Sequence, residues 1–323
     1  MPTETSTNTI SGATIARPEG SQPTMAPTSR VVLVATDDTE ASAPALRFAR
    51  TLAERGAAVH ALHVVDTRSA PMPPPLDLAI AFTDATFGDA FREQRENEVR
   101  ETIAETIGAP IDWPARIALG VPPYVIVREA RALHADLVVL GLRRHNAIER
   151  AVGDETTLHV MRAAPCPVVA VTTPLTAPLR RVLVAVDFSR ASLEAARAAD
   201  HLVGKEGTLV LAYVAPADLA IPDDGERVIH ELGVDAAFAW FRGELGRAVD
   251  APVEEVKLRR WTSARVAEVL LSYADGAKID MLALGSVRHG RIERWILGSV
   301  TTDIARNGSR SMLVVPPDDR ATA

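Results

Sequence analysis

The chain has 323 residues, of which 47% are hydrophobic and only 4% aromatic, and its formal net charge is -7. This length and composition allow two ordinary domains with cores of Val, Ala and Leu, while the negative charge gives no overall attraction to nucleic acid or to an anionic membrane. Cys166 is the single cysteine, so the chain alone cannot build an intrachain disulfide or a cysteine cluster for zinc or iron.

The first thirty residues are rich in Thr, Ser and Pro and contain no apolar stretch of the length found in signal peptides. We interpret residues 1–29 as a disordered tail and expect a cytoplasmic protein. No run of about eighteen apolar residues occurs in the sequence, and a membrane-spanning helix needs such a run. Together with the negative net charge, this absence leads us to expect neither a membrane nor a nucleic acid as a partner.

The sequence contains an internal repeat. Residues 30–37 and 181–187 are apolar runs that each end in an aspartate, and the two aspartates are 150 positions apart. Residues 137–141 and 281–285 are apolar runs that each end in a glycine, 144 positions apart. Two similarities in the same order and at nearly the same spacing indicate a duplicated domain.

The repeat sets the domain boundaries. We predict one domain at residues 30–172 and a second at 179–317. Residues 172–178 between them are rich in Pro and Thr, a composition that is typical of a linker.

Short apolar runs alternate with longer helical patterns in each half. Continuous apolar runs are typical of strands buried on both faces, as in a parallel sheet covered by helices. We therefore predict an α/β fold with two tandem, doubly wound, five-stranded parallel-sheet domains of Rossmann-like type. The predicted strands are 31–36, 58–65, 115–119, 136–140, 167–171, 181–186, 207–214, 253–258, 279–284 and 311–315.

A hydroxyl residue precedes the first helical pattern of each half. Thr39 and Ser189 occupy these positions, and both residue types can cap a helix. Two longer segments mix apolar and charged residues at helical spacing, which predicts helices that pack on the sheets. The predicted helices are 40–55, 84–107, 192–203 and 226–248.

The ends of the strands are the positions to search for a ligand site. In an open doubly wound sheet, the ligand crevice lies beyond the carboxyl ends of the strands, where the winding reverses. Asp37 and Asp187 follow the first strand of each half, where a carboxylate could accept hydrogen bonds from a ribose or a base. The alternative is that each acid only favours the N-terminal dipole of the next helix.

A glycine-bearing loop follows the fourth predicted strand of the second half. Gly285 lies at the strand end, where the missing side chain would let a ligand approach the backbone. Gly298 and Ser299 lead into a predicted helix, and its free N–H groups and the hydroxyl would favour phosphate. The alternative is that Gly290 and Gly298 only serve turns.

This loop resembles a motif of the universal stress protein family. After its fourth strand the family has Gly, two residues, Gly, nine residues, and then Gly followed by Ser or Thr. Gly285 and Gly298-Ser299 match this pattern, whereas Arg288 replaces the middle glycine and Gly290 is the nearest alternative. Arg288 either crowds the phosphate site or contacts a phosphate through two parallel hydrogen bonds from its guanidinium.

The resemblance covers all the predicted strands and implies ATP or another adenine nucleotide as the ligand, with Mg²⁺ as an optional companion. In family members that bind ATP, the first-strand Asp and the second-strand Val contact the nucleoside, while the glycine loop and the Ser hold the phosphates. The residues at or beside these positions of the second half are Asp187, Val214, Gly285, Arg288, Gly290, Gly298, Ser299 and Val300.

The first half departs further from the family pattern. Gly141 and Gly153 are only 12 positions apart, and Asp154 follows Gly153 where the family has Ser or Thr. A carboxylate there would repel phosphate. Asp37, Val64 and Gly141 remain at matching places, so we expect at most a nucleoside contact in this half.

The resemblance thus implies a stress-response protein with a regulatory rather than a metabolic role. No catalytic residue and no metal site are expected, and ATP hydrolysis would be weak at most. The rival hypothesis is a scaffold or interaction protein of the same fold that binds no nucleotide, which Arg288 and Asp154 would favour. A third class, ATP-pyrophosphatase-like enzymes, needs a Ser-Gly-Gly-x-Asp-Ser loop after the first strand, and neither 36–40 nor 186–190 supplies it.

The resemblance also implies how the halves associate. Family members commonly dimerise through their last strands, so we expect residues 167–171 and 311–315 to pair within the chain. Such pairing would cover two sheet edges. Further association into a homodimer is left open.

Overall fold

Strands and helices alternate along the chain. The computed structural model describes residues 30–37, 39–68, 85–142, 154–215, 224–246, 249–260, 264–286, 297–307 and 310–317. The strands are β1 (Val31–Thr36), β2 (Ala58–Asp66), β3 (Ala115–Gly120), β4 (Leu137–Gly141), β5 (Val168–Val171), β6 (Arg181–Ala185), β7 (Thr208–Ala215), β8 (Val253–Arg259), β9 (Met281–Gly285) and β10 (Ser311–Val315). The helices are α1 (Ala43–Ala53), α2 (Ala85–Ile107), α3 (Pro122–Ala132), α4 (Asp154–Ala163), α5 (Arg190–Val203), α6 (Asp224–Leu245), α7 (Val266–Gly276) and α8 (Ser299–Asn307). Within these ranges, no helix has both the length and the apolar character of a membrane span.

The strands form one continuous sheet in the order β3-β2-β1-β4-β5-β10-β9-β6-β7-β8. Neighbouring strands are parallel within each half, and the strand order reverses between β1 and β4 and again between β6 and β9. Strands β5 and β10 pair antiparallel in the middle, with Leu313 opposite Val169. The predicted fold class is confirmed, and the halves pair within the chain through their last strands.

Strand burial follows position in the sheet. All residues of the central strands β5 and β10 are buried, since helices cover both faces. Strand β8 lies at one edge and exposes five of its seven residues, including Glu254 and Lys257. Charged side chains on an edge strand discourage pairing with other chains. The predicted strand at 253–258 is therefore present, but our inference that it is buried on both faces is wrong.

The core lies in two layers, one on each face of the sheet. Phe48 of α1, Ile103 of α2 and Phe238 of α6 belong to one layer. Leu158 of α4 and Leu270 of α7 belong to the other. Because each layer contains side chains from both halves, the two halves share a continuous core.

The two predicted caps have different outcomes. Ser189 is the N-cap of α5, and its Oγ accepts the N–H of Ser192 at 3.3 Å. Helix α1 begins only at Ala43, with Ser42 at the N-cap position. Thr39 does not cap α1, because its hydroxyl donates to the Asp37 carboxylate at 2.6 Å and a turn separates it from the helix.

Candidate functional site

A cleft of about 310 Å³ opens at the carboxyl ends of β6, β7 and β9, beside the N-terminus of α8. It lies where the second half reverses its strand order, which is where open α/β sheets bind ligands. Its volume is within the range of small-molecule sites, roughly 300–1,000 Å³. The predicted site residues that line it are Asp187, Val214, Gly285, Gly298, Ser299 and Val300.

Further residues of the cleft were not identified from the sequence. Val266 and Leu270 lie one turn apart on α7, and the topology could have found them because α7 connects β8 to β9. Thr301 follows the predicted Ser299 and Val300 in the first turn of α8. The other residues in this group are Ala185, Val186, Ser189, Ser192, Ala212, Tyr213 and Leu284.

Asp187 has a structural role and a free acceptor. Its Oδ1 accepts the N–H of Ser189 at 3.0 Å, which closes the turn between β6 and α5. Among the described residues, no donor meets the second carboxylate oxygen, and the side chain is exposed. Asp187 therefore shapes the turn, a role different from the helix-dipole alternative, and among the described residues its second oxygen stays available to a ligand.

Phe188 holds the same turn in place. Its φ is 61°, a left-handed conformation that costs a non-glycine residue roughly 1–2 kcal/mol. The ring lies 5.2 Å from that of Tyr213 and 5.1 Å from that of Phe238, in an edge-on contact with the latter. Aromatic pairs of this kind are worth about 0.5–1.5 kcal/mol each beyond their buried area. The packing of the ring thus offsets the backbone strain and fixes Asp187 at the mouth of the cleft.

Gly285 is required by packing. A Cβ at this position would lie 2.2 Å from the carbonyl oxygen of Ala191 and 2.3 Å from its carbonyl carbon, in the first turn of α5. Gly141 is in the same situation, since a Cβ there would lie 2.2 Å from the carbonyl oxygen of Ala41. In the second half the glycine lets the first turn of α5 approach the end of β9, and in the first half it lets the turn before α1 approach the end of β4.

The N-terminus of α8 presents hydrogen-bond donors. The N–H of Thr302 binds the carbonyl of Gly298 at 3.0 Å, which is the first bond of the helix. The N–H groups of Ser299, Val300 and Thr301 therefore have no acceptor within the helix. They add to the positive end of the helix dipole, an arrangement that favours anions. A Cβ at Gly298 would meet no atom of the described residues within 4 Å, so packing against this part of the chain does not require the glycine.

The first half repeats part of this arrangement. Asp37, Val64 and Gly141 lie at or just beyond the carboxyl ends of β1, β2 and β4. Both the N–H and the hydroxyl of Thr39 donate to Oδ1 of Asp37, at 3.1 and 2.6 Å. Asp154 is the first residue of α4, as Ser299 is of α8. Gly153 of this half, and Arg288 and Gly290 of the second half, lie outside the described residues.

The comparison with protein families identifies the chain. The model of the universal stress protein family matches it twice, at residues 28–172 and 178–316. The chain belongs to the universal stress protein family. The resemblance inferred from the aspartates and the glycine loop is confirmed.

Solved structures with similar folds include other universal stress proteins. One from Archaeoglobus fulgidus is 20% identical, with a TM-score of 0.59, over 90% of this chain and 99% of its own. A protein of unknown function from Pseudomonas aeruginosa is 18% identical, with a TM-score of 0.56, over 90% of this chain and 94% of its own. These two likenesses establish the fold alone. A universal stress protein in complex with cAMP is 22% identical, with a TM-score of 0.33, over 44% of this chain and 100% of its own. Among curated proteins, none matches the chain.

Proposed function

We propose that the cleft of the second half binds an adenine nucleotide, ATP in the first instance, and that binding serves a regulatory role. The observation that supports the proposal is the convergence of a carboxylate, an apolar wall and a helix N-terminus on one cleft. These three features suit the ribose, the base and the phosphates of a nucleotide, respectively.

The nucleoside would occupy the side of the cleft formed by β6, β7 and α7. Val214 and Leu270 supply apolar surface on which a purine can pack. The second oxygen of Asp187 can accept a hydrogen bond from a ribose hydroxyl or from a base N–H. A carboxylate repels phosphates, so Asp187 would take the uncharged end of the ligand.

The phosphates would occupy the N-terminus of α8. The N–H groups of Ser299, Val300 and Thr301 and the exposed Ser299 hydroxyl can donate to phosphate oxygens. A favourable interaction of an anion with the helix dipole adds about 0.3–2 kcal/mol. Gly298 leaves room for a phosphate beside the helix, since within the described part of the chain a Cβ at this position would meet no atom within 4 Å.

A magnesium ion that accompanies ATP would depend chiefly on the ligand. Asp187 is the one carboxylate among the described residues that line the cleft. Mg²⁺ is commonly held by one or two carboxylates together with phosphate oxygens and water. The cleft therefore suits a Mg²⁺ ion that arrives with the nucleotide.

The two halves should differ in their affinity for nucleotide. Asp154 begins α4 where Ser299 begins α8, and a carboxylate at the first helical position would compete with a phosphate for the same N–H groups. We therefore expect one nucleotide per chain, bound in the second half. The rival role, a scaffold without nucleotide, requires that neither half binds one.

Isothermal titration calorimetry with ATP tests the proposal. Ser299→Asp reproduces in the second half the residue that the first half carries, and the variant should fold because an acid near a helix N-terminus is favourable. We expect saturable heat at one ATP per wild-type chain and a loss of affinity of at least about tenfold in Ser299→Asp.

The matched control is Ser272→Asp, which adds the same charge at an exposed position on α7 outside the cleft. It should bind ATP like the wild type. Folded wild-type protein that gives no heat at millimolar ATP would favour the scaffold role. Equal losses in both variants would contradict the assignment of the phosphates to α8.

A further inference from the structure

A second cavity, of about 390 Å³, lies between the two halves. It opens at the amino ends of β1 and β4, and the ends of α1 and α5 form its sides. Buried leucines from both halves, Leu52, Leu202 and Leu313, provide apolar wall. This interdomain cavity shares no lining residue with the cleft of the second half.

The interdomain cavity has an excess of basic groups. Arg30 and Arg55 of the first half and His201 of the second half line it. In the described parts of the chain, no carboxylate forms an ion pair with either arginine. Asp136 is the one acid in the lining, and its Oδ2 already accepts the N–H of Val31 at 2.8 Å. Two guanidinium groups therefore line the cavity without an acidic partner among the described residues.

The surroundings of His201 show how closely the halves bring these charges together. Desolvation lowers the pKa of the His201 imidazole, and the Arg30 guanidinium of the other half lowers it further, whereas Asp200 and Asp250 raise it. Asp200 is buried and accepts the N–H groups of Asp250 and Ala251, at 3.0 and 2.8 Å. The Asp200 carboxylate is thus already bound by backbone N–H groups. Arg30 and His201 line the same cavity, and no carboxylate of the described residues forms an ion pair with Arg30.

The interdomain cavity has a counterpart in the second half, at the amino ends of β6 and β9, and this counterpart is built differently. Residues 174–178 of the linker lie there with Leu179, beside Arg180, which is the counterpart of Arg30 at a spacing of 150. Thr51 Oγ1 accepts the N–H of Ala177 at 3.0 Å and so holds the linker on α1. His201 is the residue 150 positions after Thr51. The interdomain cavity thus has the His201 imidazole at the position where its counterpart has the Thr51 hydroxyl, which binds the linker.

The acidic residues differ as well. Glu206 lines the region beside the linker, and the position 150 residues earlier, in the interdomain cavity, is Gly56. The interdomain cavity therefore lacks the carboxylate that its counterpart carries. This difference makes it the more favourable of the two for an anion.

We propose that the interdomain cavity binds a small organic phosphate, a phosphate monoester with an apolar body. Arg30 and Arg55 would contact the phosphate, because a guanidinium donates two parallel hydrogen bonds to phosphate oxygens and two guanidiniums match its double charge. His201 would donate a further hydrogen bond from the second half. The apolar body would pack on Leu52 and Leu202.

Calorimetry of the full-length protein with phenyl phosphate at low ionic strength tests this site. We expect saturable binding at one ligand per chain. Arg30→Gln and Arg55→Gln should each weaken it by at least about tenfold. The matched control is Lys205→Gln, which removes the same charge at the position 150 residues after Arg55 and outside the cavity. Lys205→Gln should bind like the wild type.

Four results would overturn the proposal. Folded wild-type protein could fail to bind phenyl phosphate, or Arg55→Gln and Lys205→Gln could bind it equally well. Inorganic phosphate could bind as tightly as phenyl phosphate, which would contradict the role of the apolar wall. Phenyl phosphate binding that Ser299→Asp abolishes would move the ligand to the cleft. Unchanged ATP binding in Arg55→Gln is expected, because the two sites share no residue.

Discussion

Replacing Gly285 by Ala tests the packing of the second half beside its cleft. The added Cβ would lie 2.2 Å from the carbonyl oxygen of Ala191, 2.3 Å from its carbonyl carbon and 2.8 Å from its Cβ. These neighbours are a main-chain carbonyl and a side-chain atom fixed directly to the main chain. Neither can rotate away, so α5 and β9 would have to move apart by about an ångström.

The cost can be estimated from this geometry. Overpacking of a well-packed core costs about 1–3 kcal/mol, and the rigidity of the neighbours favours the upper part of this range. Removing a glycine from the unfolded chain offsets about 0.4–1 kcal/mol. We therefore expect Gly285→Ala to lower the free energy of unfolding by about 2 kcal/mol, which corresponds to a decrease in Tm of about 4–8 °C.

Thermal unfolding followed by far-UV circular dichroism measures the effect, and Gly298→Ala is the matched control. Gly298 lines the same cleft, but an added Cβ would meet no atom within 4 Å in the residues that the structure describes. Glycine is preferred over alanine at an N-cap, but replacing it lowers the entropy of the unfolded chain, and these two effects nearly cancel. The free energy of unfolding of Gly298→Ala should therefore stay within about 0.5 kcal/mol of the wild type. The reasoning is refuted if Gly285→Ala is as stable as the wild type, or if Gly298→Ala loses as much.

Two further outcomes follow from the structure. Burial and the charge of Asp136 together raise the pKa of the Cys166 thiol to about 12. An aromatic disulfide reagent at pH 8 should therefore modify Cys166 only as fast as the protein unfolds. Rapid modification of the native protein would contradict this expectation. Strands β5 and β10 join the halves in one sheet, so NMR relaxation should give both halves the same tumbling time. A shorter tumbling time for either half would show that the halves move independently.

The strands were predictable from the sequence because both faces of the sheet are covered. Strands β1 and β10 agree with the predicted bounds at both ends, because each is an apolar run with a single hydroxyl residue at one end, Thr36 in β1 and Ser311 in β10. Strand β9 begins two residues later than predicted. Asp280, just before it, accepts the N–H groups of Arg180 and Arg181 at 2.7 and 3.0 Å, and a long-range contact of this kind leaves no local pattern.

The candidate site was predictable only in part. Asp187, Gly298 and Ser299 could be found because they lie at a strand end and at a helix N-terminus, which a β-α-β order defines. The left-handed φ of Phe188 could not, because Phe is a residue type that rarely adopts this conformation. It is held there by Tyr213 and by a helix fifty residues later.

Gly285 illustrates a different limit. Its position in a family motif implied contact with a ligand, and the structure supplies a packing reason that involves α5. A glycine that a helix requires and a glycine that a ligand requires look the same in a sequence. Only the atoms around a hypothetical Cβ distinguish Gly285 from Gly298.

Amide NMR spectra recorded during a titration with ATP would locate a bound nucleotide residue by residue. We expect saturable shifts of the N–H signals of Ser299, Val300 and Thr301, at one ATP per chain, with little change at residues 154–157. The absence of any shift at α8 at saturating ATP, or shifts confined to the first half, would contradict nucleotide binding in the cleft of the second half.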